Sequence, residues 1–307
     1  MDNLFLAWEE FLKGKRKRKD VQEFSEDLSK NIYDLHLELK NKIYAHGPYT
    51  AFNISDPKPR NIHKASVRDR LLHHAIYRVL YPHFDKRFIS DSYSCRIGKG
   101  THKAILRYEY FSRKVSENYT KQAWVLKCDI KKFFASIDHQ TLSHILSKHI
   151  QDTDTLWLLN QVISSFSPGL PLGNLTSQLL VNIYMNEFDQ FVKHQLKAKY
   201  YIRYADDFII FSPSKPDLMA IYRYIEEFLN NRLRLTLHPN KVVIKTIYSG
   251  LDFLGWVHFP EYRVLRTTTK RRMMKRMRDN PTKETRASYL GMLGWGSSYK
   301  LKKQVRL

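Results

Sequence analysis

The stretch YYIRYADDFIIF at residues 200–211 places two adjacent carboxylates, Asp206 and Asp207, between two runs of apolar and aromatic residues. These runs have the composition of strands and lack helical spacing, so the stretch predicts a tight β-hairpin with both carboxylates at its tip. An Asp-Asp pair can also serve a turn alone, because Asp tolerates turn geometry and bonds its own backbone. The choice between these interpretations depends on which other acidic residues reach the same place.

A third carboxylate, Asp129, has a similar setting in WVLKCDIKKFF at residues 124–134. Three carboxylates that meet repel one another, and divalent metal is the natural way to neutralise them. Nucleotidyl transfer uses two Mg²⁺ ions about 4 Å apart, held by hard oxygen ligands. We therefore predict that Asp129, Asp206 and Asp207 are catalytic and bind two Mg²⁺ ions. The backbone carbonyl of Ile130 is predicted as a further ligand, and Mn²⁺ as an alternative metal.

Three segments together resemble the palm of reverse transcriptases: DIKKFF at 129–134, GLPLGNLTSQ at 169–178 and YADD at 204–207. They follow the order of that family, and the resemblance extends over most of the chain, from about residue 50 to residue 300. It implies an α+β right-hand polymerase with fingers, palm and thumb, in which helices flank an antiparallel palm sheet. The implied activity is that of an RNA-directed DNA polymerase, which binds dNTPs, template RNA and an RNA-DNA duplex.

The same resemblance implies a division of the chain. Residues 1–47 are predicted to be a basic, helical N-terminal extension and residues 48–123 the fingers. The palm is predicted over residues 124–262, with loop and helix elements at 140–180, and a basic helical thumb over residues 263–307.

The predicted nucleotide-binding residues are Lys58, Arg60, Phe133, Leu172, Gly173 and Gln178. In the family that the chain resembles, finger cations grip the triphosphate, and Arg and Lys suit phosphate oxygens. Phe133 is predicted to lie beneath the sugar and exclude a 2′-hydroxyl, while the other three back the nascent base pair.

The predicted template and primer contacts are Arg96, Lys99, Lys103, Gly255, Trp256, Lys270, Arg271, Arg272, Lys275 and Arg276. The first three lie in SCRIGKGTHKA at 94–104, where glycines allow close backbone approach and cations reach phosphate. Gly255 and Trp256 lie in a segment that resembles the family's primer-grip hairpin. The remaining five belong to the basic C-terminal tract.

The net charge of +22 and the isoelectric point near 9.8 indicate a polyanionic partner, most simply nucleic acid. Residues 263–307 carry 14 lysines and arginines against Asp279 and Glu284, a net charge of +12. Without an apolar run of about 18 residues, the sequence predicts no membrane span. Two cysteines give no disulfide framework. We expect a cytoplasmic protein, encoded by a bacterium or a phage.

Two departures from the intron-type pattern narrow the resemblance. Pro171-Leu172-Gly173 stands where most relatives read Pro-Gln-Gly, and Ser177-Gln178 stands where they read Ser-Pro. The stretch GNLTSQ at 173–178, followed by NIY at 182–184 and GWGS at 294–297, is similar to the enzymes of diversity-generating retroelements. Those enzymes copy a template-repeat RNA into cDNA with adenine-directed errors for mutagenic retrohoming. That resemblance implies a small basic accessory protein that assembles as a ring.

Two alternatives stay open from the sequence. One is a retron or intron-type reverse transcriptase of ordinary fidelity. The other is an RNA-binding, maturase-like scaffold without polymerase activity, which the intact set of three carboxylates argues against.

Apolar spacing predicts several elements outside the motifs. It predicts one amphipathic helix over residues 21–39, a helix over 176–191 and two strands, at 233–237 and 242–244.

Overall fold

The computed structural model describes residues 1–55 and 59–306 of the chain. Its first part is helical: α1 (Asp2–Phe11), α2 (Lys19–Glu26) and α3 (Leu28–Lys40). The single helix predicted over residues 21–39 is wrong, because Asp27 leaves the helical region with φ −113° and ψ 37°. Apolar spacing continues across this break, so it could not reveal the change of direction.

An antiparallel hairpin follows, formed by β1 (Thr50–Ile54) and β2 (Arg60–Lys64). Two long helices come next, α4 (Val67–Asp85) and α5 (Thr101–Val115). The hydroxyl of Ser66 caps α4 by accepting a hydrogen bond from the Asp69 amide, the usual role of serine at a helix start.

In the described residues a four-stranded antiparallel sheet has the order β4-β5-β3-β6, and we call it the central sheet. Its strands are β3 (Trp124–Asp129), β4 (Tyr200–Tyr204), β5 (Asp207–Ser212) and β6 (Val243–Thr246). The intervening helices are α6 (His139–Ser147), α7 (Thr153–Ser164), α8 (Leu175–Gln190) and α9 (Lys215–Leu233). The hairpin predicted at 200–211 and the helix predicted at 176–191 are confirmed.

The two faces of the central sheet belong to different cores, as strand alternation requires. Cys128 and Phe208 face the core that contains α4, α8 and α9. Val125 and Ile209 face the core that contains α5. By the same alternation Asp129 and Asp207, at the strand ends, lie on the α5 side of the sheet.

The strand predicted at residues 233–237 is wrong. Helix α9 continues to Leu233 and ends at Arg234, whose φ of 51° is left-handed, and the Leu235 amide then bonds to the Leu229 carbonyl. Only Leu237 pairs in the manner of a strand, in an isolated bridge with Ile130. The second predicted strand is confirmed as β6, one residue later than expected.

The C-terminal part begins with a second antiparallel sheet, the small sheet. It consists of β7 (Leu251–Phe253), β8 (Trp256–His258) and β9 (Arg263–Leu265), followed by α10 (Thr267–Asp279), α11 (Lys283–Leu293) and α12 (Tyr299–Arg306). The boundary predicted between residues 262 and 263 falls inside this sheet, because β8 and β9 pair across it. Trp256 and Leu265 join the C-terminal helices in a third core, to which α5 contributes Ile105.

No helix in the described ranges combines the length and the apolar character that a membrane crossing needs.

Candidate active site

Backbone pairing brings the three predicted catalytic carboxylates together. Asp129 ends β3 and Asp207 begins β5, and the two residues are direct partners in the register of the central sheet. Asp206 occupies the turn between β4 and β5, where Ala205 takes a φ of 55°. The Ile130 amide donates to the Asp206 carbonyl at 3.2 Å, which ties the turn to the end of β3.

Two lysines neutralise part of this negative charge. Lys241 Nζ lies 2.7 Å from Asp129 Oδ1, and Lys127 Nζ lies 3.3 Å from Asp207 Oδ2. Lys127 also donates to the Asp252 carbonyl at 2.6 Å, which joins the central sheet to the small sheet. The second carboxylate oxygen of Asp207 is buried and has no hydrogen-bond partner among the described residues.

Burial disfavours the ionised forms of Asp206 and Asp207 and so raises the pKa of both. It raises the pKa of Asp207 to about 7, although Lys127 acts in the opposite direction. Burial also raises the pKa of Asp206, and the charge of Asp129 adds to this effect. A site of this kind gains from a bound cation, which would stabilise the ionised forms.

A divalent metal fits this chemistry, although the side chains are not arranged as a complete ligand cluster. Within residues 1–55 and 59–306 no group of three His, Cys, Asp or Glu side chains is close enough to hold a metal ion. One oxygen of Asp129 faces Lys241 and one oxygen of Asp207 faces Lys127, so each of these oxygens already has a cation beside it. The unpartnered oxygen of Asp207 is an available oxygen ligand.

A buried ion pair supports the turn at residues 204–207, which we call the catalytic turn because its two carboxylates are predicted to be catalytic. Arg203 is 1% exposed and donates from Nε and Nη2 to the two oxygens of Asp189 on α8, at 2.8 and 2.7 Å. Its Nη1 donates to the Ala205 carbonyl at 3.2 Å, inside the turn itself. This pair could not be predicted from the sequence, because nothing in the spacing of residues 189 and 203 shows that they meet.

The loop before α8 docks on the first hairpin. The Leu172 carbonyl accepts from the His63 amide at 3.0 Å, and the Asn174 side chain donates to the His63 carbonyl at 3.1 Å. Gly173 has a φ of 107°, and a Cβ there would lie 2.7 Å from an Ile62 methyl group. Only glycine suits both constraints. Leu172 and Gln178 are half-buried, so both side chains reach the surface of this junction.

The structure argues against Phe133 as the residue beneath the sugar. Phe133 is 4% exposed and belongs to the main core, within the 3-10 turn Phe133–Ser136. Its neighbour Phe134 is half-buried, and its carbonyl accepts from the Leu170 amide of the loop before α8 at 2.8 Å. Phe134 also packs against the main core, and residue spacing does not show which of the two rings is the more exposed.

A cavity of about 630 Å³ opens between the first hairpin, α5, the small sheet and α10. Its lining includes Arg60, His102, Gly255, Trp256 and Arg272. The charge of Arg60 acts to lower the pKa of Asp206, so the guanidinium lies within electrostatic reach of the catalytic turn. Lys58 lies outside the described residues.

The predicted template contacts after α4 differ in availability. Arg96 is only 5% exposed, and it donates to Asp85 Oδ1 at 2.7 Å and to the Ile89 carbonyl at 2.6 Å. The side chain therefore holds its own loop, and the structure argues against a template contact there. Lys99 is half-buried and donates to the Ser90 carbonyl at 2.6 Å, whereas Lys103 is exposed.

The primer-grip and thumb predictions fall on two surfaces. Trp256 is 4% exposed and packs mainly against the C-terminal helices, although its edge lines the cavity with Gly255. Arg272 on α10 also lines this cavity. A separate open groove of about 690 Å³ is lined by Lys270, Arg271, Lys275 and Arg278, and Arg276 is exposed on the same helix.

The family model of reverse transcriptase (RNA-dependent DNA polymerase) matches residues 54–292, and the chain therefore belongs to this family. The fold agrees. Telomerase from Candida albicans in complex with a TWJ fragment of telomeric RNA superposes with a TM-score of 0.54 at 11% identity, over 76% of this chain and 49% of that chain. The predicted right-hand polymerase fold is thus confirmed.

Two curated relatives show the same family at low identity. Protein YkfC of Escherichia coli is 26% identical over 66% of this chain and 63% of its own length. The group II intron-encoded protein LtrA of Lactococcus lactis is 24% identical over 82% of this chain and 52% of its own length. The chain thus spans about half to two thirds of the length of these relatives.

Proposed function

We propose that the chain is an RNA-directed DNA polymerase that extends a primer on template RNA with dNTPs. The observation that carries the proposal is the direct pairing of Asp129 with Asp207 and the tie between Ile130 and the Asp206 carbonyl. These contacts hold three carboxylates at one edge of the central sheet. The family match supports the same reaction.

The proposed cofactor is a pair of Mg²⁺ ions, with Mn²⁺ as an alternative. Asp129, Asp206 and Asp207 would hold them, together with the Ile130 carbonyl, and Lys241 and Lys127 would give up their contacts to the carboxylates. When bound, the metal ions would activate the primer hydroxyl and neutralise the triphosphate. Arg60 would bind phosphate oxygens of the dNTP from the first hairpin.

Primer extension tests this proposal directly. The purified chain is mixed with an RNA template annealed to a DNA primer, dNTPs and Mg²⁺, and extended products are resolved on a gel. We expect extension that a chelator abolishes. RNA binding without any extension, in either Mg²⁺ or Mn²⁺, would instead support the maturase-like scaffold.

We further propose that the enzyme is mutagenic, as in diversity-generating retroelements. The support is the apolar Leu172, half-buried where the loop before α8 meets β2. A polar side chain that is left unpaired by a mispair costs free energy, whereas an apolar one tolerates the misfit. This proposal includes a partner, a small basic accessory protein that forms a ring. It also places the enzyme in the cytoplasm of a bacterial cell.

The intron-type relatives favour the alternative of ordinary fidelity.

The substitution Leu172→Gln should lower misincorporation opposite template adenine roughly tenfold, through about 1.4 kcal/mol of added discrimination. Because the Leu172 backbone carries the contact to His63, the loop should keep its position. Deep sequencing of cDNA from one RNA template measures the effect. Leu175→Gln, at a half-buried position three residues later, is the matched control and should change nothing. If the wild type copies template adenine as accurately as the other bases, the mutagenic proposal is wrong and the enzyme is one of ordinary fidelity.

We propose that Phe134, in place of the buried Phe133, lies beneath the sugar. Phe134→Ala should then admit ribonucleotides, with discrimination falling about 10- to 100-fold, because the ring would no longer exclude the 2′-hydroxyl. Phe133→Ala is its counterpart and should instead destabilise the fold by about 3–5 kcal/mol through a cavity in the core. Single-nucleotide incorporation and thermal melting measure the two effects. A Phe134→Ala enzyme that still rejects ribonucleotides would contradict the assignment.

A further inference from the structure

Helix α5 connects the catalytic turn with a distant part of the surface. Near its start the Thr101 hydroxyl lies 3.2 Å from the hydroxyl of Tyr204, which pairs with Asp207. Near its end Phe111 contacts Tyr200, with ring centroids 5.3 Å apart. Tyr200 and Tyr204 are the two ends of β4, about 13 Å apart at the usual rise of a strand. The far end of α5 is therefore well separated from the predicted metal site.

A pocket of about 470 Å³ lies at this far end, and we call it the α5 pocket. Its lining includes Arg107, Tyr110, Lys114, Lys193, Lys199 and Tyr200. Residues 107, 110, 111 and 114 follow the spacing i, i+3, i+4 and i+7, so α5 presents one continuous face to the pocket.

Cations and aromatic rings alternate in the α5 pocket. The Arg107 guanidinium lies 5.1 Å from the centroid of the Tyr110 ring, and Lys114 Nζ lies 5.7 Å from the same centroid. Lys199 Nζ lies 5.4 Å from the centroid of the Tyr200 ring. Tyr110 is 48% exposed, so part of its ring is accessible beside these cations.

The positive charge of the α5 pocket exceeds the negative charge around it. Asp91 pairs with Arg107 through two hydrogen bonds, at 2.8 and 3.1 Å. Lys114, Lys193 and Lys199 form no ion pair within the described residues. Lys193 donates only to backbone carbonyls there, and burial lowers its pKa. Three cations thus share one concave surface without a carboxylate of their own.

We propose that the α5 pocket binds an unpaired nucleotide of the template RNA, outside the cleft in which DNA is made. The base would stack on the exposed face of Tyr110, and Lys114, Lys193 and Lys199 would contact the phosphates on either side. Aromatic stacking contributes about 1–3 kcal/mol per base, and an acidic peptide offers no flat group for the tyrosine faces. The identity of the ligand as RNA rests on the proposed function. The pocket would hold RNA that has not yet reached the catalytic turn or has already left it.

Binding of an unstructured single-stranded RNA to the full chain tests the α5 pocket. The double variant Lys114→Glu/Lys199→Glu removes two phosphate contacts, so the slope of log affinity against log salt should fall by about 1.4. Lys30→Glu/Lys40→Glu is the matched control, because both residues are exposed on α3 and the charge change is the same. Tyr110→Ala should keep the wild-type slope and weaken binding about tenfold, equivalent to about 1.4 kcal/mol.

Extension of a short RNA-DNA duplex, measured on the same preparations, separates this proposal from the proposed function. We expect all variants to extend that duplex at the wild-type rate, since the α5 pocket lies outside the cleft. If the wild type binds RNA but does not extend primers, the proposed polymerase activity is wrong, and the proposal that the α5 pocket binds RNA is unaffected. Equal salt slopes for the pocket variant and the α3 control would contradict RNA binding in the α5 pocket. Failure to crosslink RNA that carries 4-thiouridine to the peptide that contains Tyr110 would contradict it as well.

Discussion

Asp206→Asn should reduce primer extension by about 10²- to 10³-fold or more, the loss that follows removal of one electrostatic contact in a transition state. The substitution keeps the shape of the side chain and removes its charge. The backbone contact between the Asp206 carbonyl and the Ile130 amide does not depend on that charge, so the turn should persist. Extension rates on an RNA template measure the effect, and RNA affinity serves as the control that should not change. Near wild-type extension by the purified variant would show that the metal assignment is wrong.

Ionisation of Asp207 should reduce the stability of the metal-free protein at neutral pH. The pKa of Asp207 is about 7 in the folded chain, against an ordinary value of 3.8. The folded state therefore holds this proton more tightly than the unfolded state, and stability falls as the pH rises from about 4 through 7. Asp207→Asn removes the ionisation and should melt above wild type at pH 8, with a difference that shrinks toward pH 4. A difference that does not vary with pH would contradict the raised pKa.

The second large effect is expected at the ion pair beneath the turn. Asp189→Asn leaves the Arg203 guanidinium buried without its counter-charge, which costs about 3–5 kcal/mol of folding free energy. Because Arg203 also donates to the Ala205 carbonyl, extension should fall even below the melting temperature, as the turn loses its support. Denaturant unfolding and extension rates measure the two effects.

Lys121→Ala provides the comparison for this variant. Lys121 pairs with Glu117 at 2.9 Å with both side chains more than 60% exposed, and exposed pairs contribute only about 0–1 kcal/mol. If Asp189→Asn loses no more free energy of unfolding than Lys121→Ala, then the buried Arg203 pair stabilises the fold no more than an exposed pair does.

The catalytic turn could be predicted from the sequence because its structure is local. Strand composition on both sides of Asp206 and Asp207 fixes the hairpin, and pairing then aligns Asp207 with Asp129. Helix α8 could also be predicted, since Leu179 and Ile183 lie at helical spacing, although burial extends around most of the helix.

Features that depend on one unusual backbone angle could not be predicted in this way. Lys132 has a φ of 46° just before the 3-10 turn, in which Phe133 is buried in the main core and Phe134 packs against it only partly buried. Arg234 ends α9 by the same left-handed geometry, where apolar alternation indicated a strand. Arg96 shows a different limit, because a cation in a glycine-rich segment looks like a phosphate ligand until its partners Asp85 and Ile89 are known.

Helix α5 also affects the width of the cavity that opens between the first hairpin, the small sheet and α10. It contributes Tyr108 to the core beneath the central sheet and Ile105 to the core of the C-terminal helices. The His102 ring stacks on Trp295 at 3.9 Å, and Glu109 pairs with Arg263. These contacts join α5 to the small sheet and the C-terminal helices, which also line the cavity of about 630 Å³. We therefore expect this cavity to keep its width when nucleic acid binds, so that duplexes of different diameter should bind with different affinity.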